Sequence, residues 1–273
     1  MKALLSLFIL LAALSALEAQ TILLKNGQSV PATNFQRKDD LLMVAITTPS
    51  GGQGQVAYHI SDVAALNLPI PPELAAAEDL IAKGHPDLAR EKIEPVVALQ
   101  QTVRDISGNW WAKTALVKSM ALIALNQPAE AEPILKDIAG SSAELEIQLA
   151  AKLQLSLLEP PKDPSQALSA YDAIINQSTD AKTLIQAWIA EGDIRFAQHE
   201  FDEALMAYLT VVVFYPDNNP LVPRALWGAA QAYAKLKDGK NQDVTLHELV
   251  TNYPNNPEAS LAQAEIMKKE NKQ

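Results

Sequence analysis

Three spacings of apolar residues follow one another along the chain. Ala3 to Leu17 is an apolar run broken only by Ser6 and Ser15. Between residues 21 and 67 apolar positions alternate, as in Leu42, Val44 and Ile46 or Val56, Tyr58 and Ile60, the period of strands with one buried face. From residue 73 onward they recur every three or four positions, the period of amphipathic helices. The first run holds roughly 15 residues, short of the ~20 that a spanning helix needs.

In the alternating part, Thr21–Lys25 predicts a strand and Asn26–Gly27 a hairpin turn, because both turn residues tolerate positive φ. Pro49–Ser50–Gly51–Gly52 supplies the turn between the two alternating runs. With a further strand over Ile60–Ser61–Asp62–Val63, four or five short strands are expected, forming a small curled sheet or barrel of SH3-like or Sm-like type. The simplest role for such a sheet is to cover the outer face of a first helical repeat. Leu68–Pro69–Ile70–Pro71–Pro72 then punctuates the chain. Its prolines stiffen the link, and Pro72 suits the first turn of a following helix. The expected organisation is a leader at 1–19, a β module at 20–67, a proline-rich linker at 68–72 and a helical array at 73–273.

The array carries an internal period. Small residues suited to a close helix crossing fall at Ala89, Ala131, Ala167 and Ala204, with Gln242 in the fifth place. Each is preceded by turn chemistry: Gly84–His85–Pro86–Asp87, Asn126–Gln127–Pro128, Lys162–Asp163–Pro164–Ser165, His199–Glu200 and Lys237–Asp238–Gly239. Five helix pairs are predicted, near 73–102, 109–139, 142–176, 181–214 and 222–252. A last helix from Pro257 to Lys269 closes the stack, with Lys268 and Lys269 at its negative C-terminal end. One helix pair cannot bury its own apolar face, so the period implies a solenoid of neighbours.

Residues 188–216 carry a recognisable spacing: Trp188, Gly192, Phe201, Ala204, Tyr208 and Pro216. Phe214–Tyr215–Pro216–Asp217–Asn218 and Asn252–Tyr253–Pro254–Asn255–Asn256 are near-copies, each with another proline soon after, at Pro220 and Pro257. This pattern resembles the tetratricopeptide repeat (TPR), and in particular periplasmic TPR adaptors of the bacterial envelope, such as the helical parts of division-coordinating and outer-membrane-assembly factors. The β module resembles small modules that precede helical repeats in some exported bacterial proteins. The resemblance implies a mainly α, TPR-like solenoid and a non-enzymatic binding role. The sequence departs from the pattern at Arg195, where an aromatic is usual, at Val211, where a small residue is usual, and in the first three pairs, which lack the Trp–Gly signature.

Charge and leader narrow the setting. Lys25, Arg37 and Lys38 balance Asp39, Asp40 and Asp62, and Lys2 balances Glu18, so the whole formal charge of −10 lies after residue 70. An acidic helical body disfavours nucleic acid and anionic lipid as partners. Met1–Lys2, the apolar run and Ala19 before Gln20 read as a secretory leader cleaved after Ala19, or after Ala16 as the alternative. A periplasmic or secreted location is therefore expected, with no membrane insertion of the mature chain. The absence of cysteine excludes disulfides, a lipid-modified N-terminal Cys, thiolate metal sites and thiol nucleophiles.

Candidate chemistry is sparse. The four histidines, His59, His85, His199 and His247, show no metal-ligand spacing; His85 and His199 sit at turns, where capping suffices as a role. Gly-x-Ser-x-Gly is missing, and Gly51–Gly52–Gln53–Gly54 lacks the Lys-Ser/Thr of a phosphate loop. Glu130, Glu132, Glu144 and Glu146 read as solvated helix faces. No cofactor, metal site or catalytic residue is expected. Trp188, Gly192, Phe201, Ala204 and Tyr208 are expected in the core. Of the adjacent Trp110 and Trp111, which point about 100° apart on a helix, one is expected in the core and one against the β module or in a groove.

Matching Tyr233 to the repeat's helix-A tyrosine places Trp227, Arg224, Gln231 and Lys235 among positions that resemble the family's concave binding surface. Gln186, Asp193 and Phe196 are their companions from the preceding pair. Aromatics and Arg carry much of the energy of protein interfaces. The expected function is a protein–protein adaptor of the bacterial envelope holding a partner segment on this face. The alternative is a structural component that associates with itself as a homo-oligomer.

Overall fold

The computed structural model describes residues 20–32, 34–47, 51–216 and 220–271. The predicted leader, Pro49–Ser50 of the predicted turn and Asp217–Asn218 of the first Tyr-Pro copy lie outside the described residues. The chain divides into two compact units, one running through Leu125 and one starting at Asn126.

The first unit opens with six strands: β1 (Thr21–Leu24), β2 (Ser29–Pro31), β3 (Asn34–Lys38), β4 (Leu41–Thr47), β5 (Gln53–His59) and β6 (Val63–Asn67). They form two antiparallel three-stranded sheets, ordered β2-β1-β6 and β3-β4-β5. Ile22, Val30 and Leu66 from one sheet and Phe35, Leu42 and Val44 from the other share a single apolar core. Gly27 takes the positive φ its turn requires (+87°), while Asn26 serves through its side chain, which accepts a bond from Gln28 N. The expected strand over Ile60–Val63 is corrected: Ile60–Asp62 is a single 3-10 turn, and the strand starts at Val63. The strand count is also higher than expected, because β2 is three residues long and β3 is mostly polar, so neither shows much alternation.

Helices α1 (Pro72–Ala82), α2 (Pro86–Gln101) and α3 (Trp111–Ala124) complete the first unit. The segment joining α2 to α3 closes the β core. Val103 and Ile106 are buried within it, Leu66 N donates to Ser107 O at 2.8 Å, and Arg37 pairs with Asp105 at 2.5 Å. Gly108 lies so close to β6 that an added Cβ would fall 1.9 Å from Leu66 O, and its φ is +79°. Trp111 is buried, while the half-buried Trp110 donates its indole N–H to Leu68 O at 3.2 Å. One tryptophan is thus core and the other holds the residue following the sheet.

The second unit contains α4 (Pro128–Gly140), α5 (Leu145–Leu158), α6 (Pro164–Gln177), α7 (Ala181–Ala197), α8 (Phe201–Phe214), α9 (Val222–Lys235), α10 (Gly239–Asn252) and α11 (Pro257–Glu270). Helices stand at the places of all five predicted pairs and of the closing helix. Proline is the first residue of α1, α2, α4, α6 and α11, where a missing N–H costs nothing. Asp163, Asp180, Asp238 and Asn256 cap their helices through side-chain oxygens. His85 and His199 do not: neither makes a side-chain cap bond. His199 takes the left-handed turn position (φ +66°) and sets its ring edge-on to Phe201. Ala89, Ala131, Ala167 and Ala204 are all fully buried, as a close crossing requires. Gln242 is buried at the fifth place, with its Oε1 accepting from Lys269.

Glu146 corrects the reading of its cluster as a merely solvated face. From α5 it accepts bonds from Ser178 Oγ (2.6 Å), Thr179 N (2.7 Å) and Thr179 Oγ1 (2.8 Å), tying down the turn before α7. The Ser178 hydroxyl, followed by the Thr179 amide, holds its carboxyl below the usual value of 4.5. A carboxylate with a depressed folded-state value lends stability that is present above its unfolded value and is lost as pH falls through the folded one. Wild type is therefore expected to lose stability below about pH 4.5 more steeply than Glu146→Gln, which urea denaturation at pH 3 to 6 checks. Parallel curves for the two proteins would count against this role.

Candidate functional site

The residues singled out on α7 and α9 are brought together by one side chain of α8. Tyr208 is buried in a slot between Gly192 on α7 and Gly228 on α9, where an added Cβ on either glycine would approach the ring to 2.7 Å. A ring can sit this deep between two helices only where both backbones lack side chains. Its hydroxyl escapes the slot and donates to Asp193 Oδ1 at 2.8 Å. The second oxygen of Asp193 accepts from the Arg224 guanidinium on α9 at 2.6 Å. Burial, followed by the Asp193 charge, raises the Tyr208 pKa well above its ordinary value, so the phenol remains a donor throughout the physiological range.

Around this clasp the predicted residues divide. Asp193 and Arg224 are exposed and paired, and Gln231 and Lys235 continue along α9, half-buried and exposed respectively. Trp227 is half-buried and rests on the core that Ile185, Ile189, Leu226 and Leu246 build. Trp188, expected in the core, is half-buried against the same cluster. Gln186 reaches α5, where its Oε1 accepts from Gln154 Nε2 at 2.9 Å. Phe196 packs within the pair, beside Tyr208, Ala204 and Ala229, with its ring edge-on to Phe201 at 5.2 Å.

At the departure from the expected aromatic, Arg195 instead pairs with Glu191 at 2.7 Å and Glu200 at 3.2 Å. Glu191 is buried, and its second oxygen has no bond partner. Nothing in the spacing of residues signals this carboxylate's burial. Nor does it show Tyr208 acting as a polar link; the available signal is Gly228, a second helical glycine with no turn to explain it.

The first unit has a concavity of its own, about 330 Å³, between the linker and α2, lined among others by Phe35, Ile70, Pro95 and Leu99. Among the described residues no group of three or more His, Asp or Glu is arranged to hold a metal ion, and no helix is long and apolar enough to cross a membrane.

No protein-family model and no curated protein matches this sequence. Solved structures similar to it include a single-substitution variant of a Podosopora anserina protein described as a kinesin light chain with nearly identical TPR-like repeats. It is 16% identical with a TM-score of 0.44, over 72% of this chain and 95% of that one. A second structure under the same description, without the substitution, gives 16% and 0.43 over 71% and 94%. YrrB, a TPR protein with an unusual peptide-binding site, gives 15% and 0.41 over 71% and 91%. The fold here is mainly α, with two small sheets preceding an array of helix pairs in the chain.

Proposed function

We propose that this protein is a non-enzymatic adaptor of a bacterial cell envelope, exported by its N-terminal leader, which holds a segment of a partner protein against α7 and α9. The observation that carries the reading is the Tyr208–Asp193–Arg224 clasp. A guanidinium on α9 is held in place by α7 and α8 while more than half of its side chain stays in solvent (56% exposed). An Arg already fixed by a carboxylate loses less side-chain entropy on binding than a free one, and Arg with a neighbouring aromatic forms the usual hot spot of an interface. Trp227 lies one turn beyond Arg224 and supplies that aromatic area. Gln231 and Lys235 extend the surface along α9 with groups that can hydrogen-bond a partner backbone.

The test is crosslinking of the tagged full-length protein in cells, followed by mass spectrometry, with Trp227→Ala and Arg224→Ala in parallel. A short set of envelope proteins captured by wild type and reduced several-fold in both variants is expected, with unchanged thermal melting. If the variants melt early instead, Trp227 serves the core it rests on and the surface is assigned wrongly. A catch consisting of the protein itself, unchanged in the variants, would replace the adaptor with a self-associating structural component.

A further inference from the structure

Helices α6, α8 and α10 hold the same place in successive helix pairs, which would make their outward positions interchangeable. They are not. Counting from the buried Ala167 of α6, the outward row reads Ser169, Asp172 and Asn176, all exposed and polar. Counting from Gln242 of α10, it reads Val244, His247 and Thr251. On α8, counted from Ala204, the row is Met206, Leu209 and Val213, at i, i+3 and i+7, with Leu209 half-buried against Ala204, Tyr208 and Ala229. Met206 is 66% exposed and Val213 64%, and Phe214 beside them is 72% exposed. Core packing does not account for Met206 or Val213, which are exposed where α6 carries Ser169 and Asn176. Large apolar side chains exposed together on one helix, as Met206, Val213 and Phe214 are, mark an interaction surface.

Charge decides what covers it. Asp202 lies on the same line as Met206, Leu209 and Val213, with Glu203 beside it, and from residue 196 to residue 223 there are four carboxylates and no Lys or Arg. The second unit as a whole holds 12 Lys and Arg against 21 Asp and Glu. A second copy of α8 laid antiparallel on the first would set Asp202 and Glu203 against the negative C-terminal end of its partner helix, with no cation to meet them. A partner helix with Lys or Arg flanking its apolar face meets both the stripe and the field.

We infer that the outward face of α8 is a docking site for the apolar face of a basic amphipathic helix in a partner protein. This surface is separate from the one that carries Trp227 and Arg224, and its test is independent of them. The probes are a fluorescent 18-residue leucine–lysine peptide of helical period, the same composition scrambled, and a leucine–glutamate peptide of the same period, each titrated by anisotropy against the full chain. The periodic leucine–lysine peptide should bind at least tenfold more tightly than either other peptide. Met206→Ser/Val213→Ser should weaken it at least tenfold with unchanged melting, and Trp227→Ala should leave it unaltered. Equal binding of the scrambled peptide, or equal binding to the serine variant, overturns the inference. So does a dimer in sedimentation that the serine variant abolishes, since a second copy would then be the occupant.

Discussion

Gly192→Ala should destabilise the protein by about 2 kcal/mol, although alanine is the better helix former by about 1 kcal/mol. The added methyl would stand 2.7 Å from the Tyr208 ring, and the ring cannot retreat. Gly228 closes the slot from the other side at the same distance, and the hydroxyl is tethered to Asp193. Overpacking in so confined a site costs roughly 1–3 kcal/mol. The sign should reverse once the ring is gone. The three atoms nearest the added Cβ all belong to Tyr208, so in a Tyr208→Ala background Gly192→Ala should recover the propensity gain of up to ~1 kcal/mol. A double-mutant cycle measured by urea denaturation isolates this coupling. An alanine equally costly with and without the ring would mean that the slot does not constrain Tyr208.

Gly108→Ala is expected to be the more damaging of the two glycine changes. Its methyl would overlap Leu66 O, a backbone atom held in β6, and the residue would also be forced to keep a φ of +79°. Left-handed geometry alone costs an alanine about 1–2 kcal/mol. Losing the Leu66 N–Ser107 O bond adds roughly 1 kcal/mol, and the displacement of Val103 and Ile106 from the β core adds more. A total of about 3 kcal/mol or more predicts hydrogen exchange at the Leu66 amide faster by at least roughly a hundredfold. Gly84 provides the control, because its φ is also +79° but nothing lies within 4 Å of an added Cβ. Gly84→Ala should therefore show the conformational cost alone. Equal losses at the two positions would remove the steric argument for Gly108.

The helices were legible in the sequence because their signals are local. Prolines in the turns and buried alanines every 36 to 42 residues act within one turn or one crossing, and each stands in the structure where its spacing put it. The β part was less legible. The segment Ile60–Asp62 sits between two strands and alternates as they do, but a 3-10 turn lets the chain leave one sheet for the other. Gly108 reads in sequence as an ordinary turn residue; its need arises from a carbonyl 42 positions earlier. The candidate surface shows the same limit. Matching repeat positions could nominate Asp193 and Arg224. That they are bonded to each other, and held by Tyr208, depends on the direction of side chains from three helices.

The closing of the β core by residues 103 to 108 has a consequence for the order of folding. Six strands are complete by Asn67, yet the last two apolar residues of their core, Val103 and Ile106, arrive only after two helices have been made. As the chain is synthesised from its N-terminus, the sheets must wait for about forty further residues, roughly 2–8 seconds of elongation, with part of their interior open to water. Ordering of the strands and of α1 and α2 should therefore occur together, as one late event, and a chain ending at the proline linker should remain unfolded.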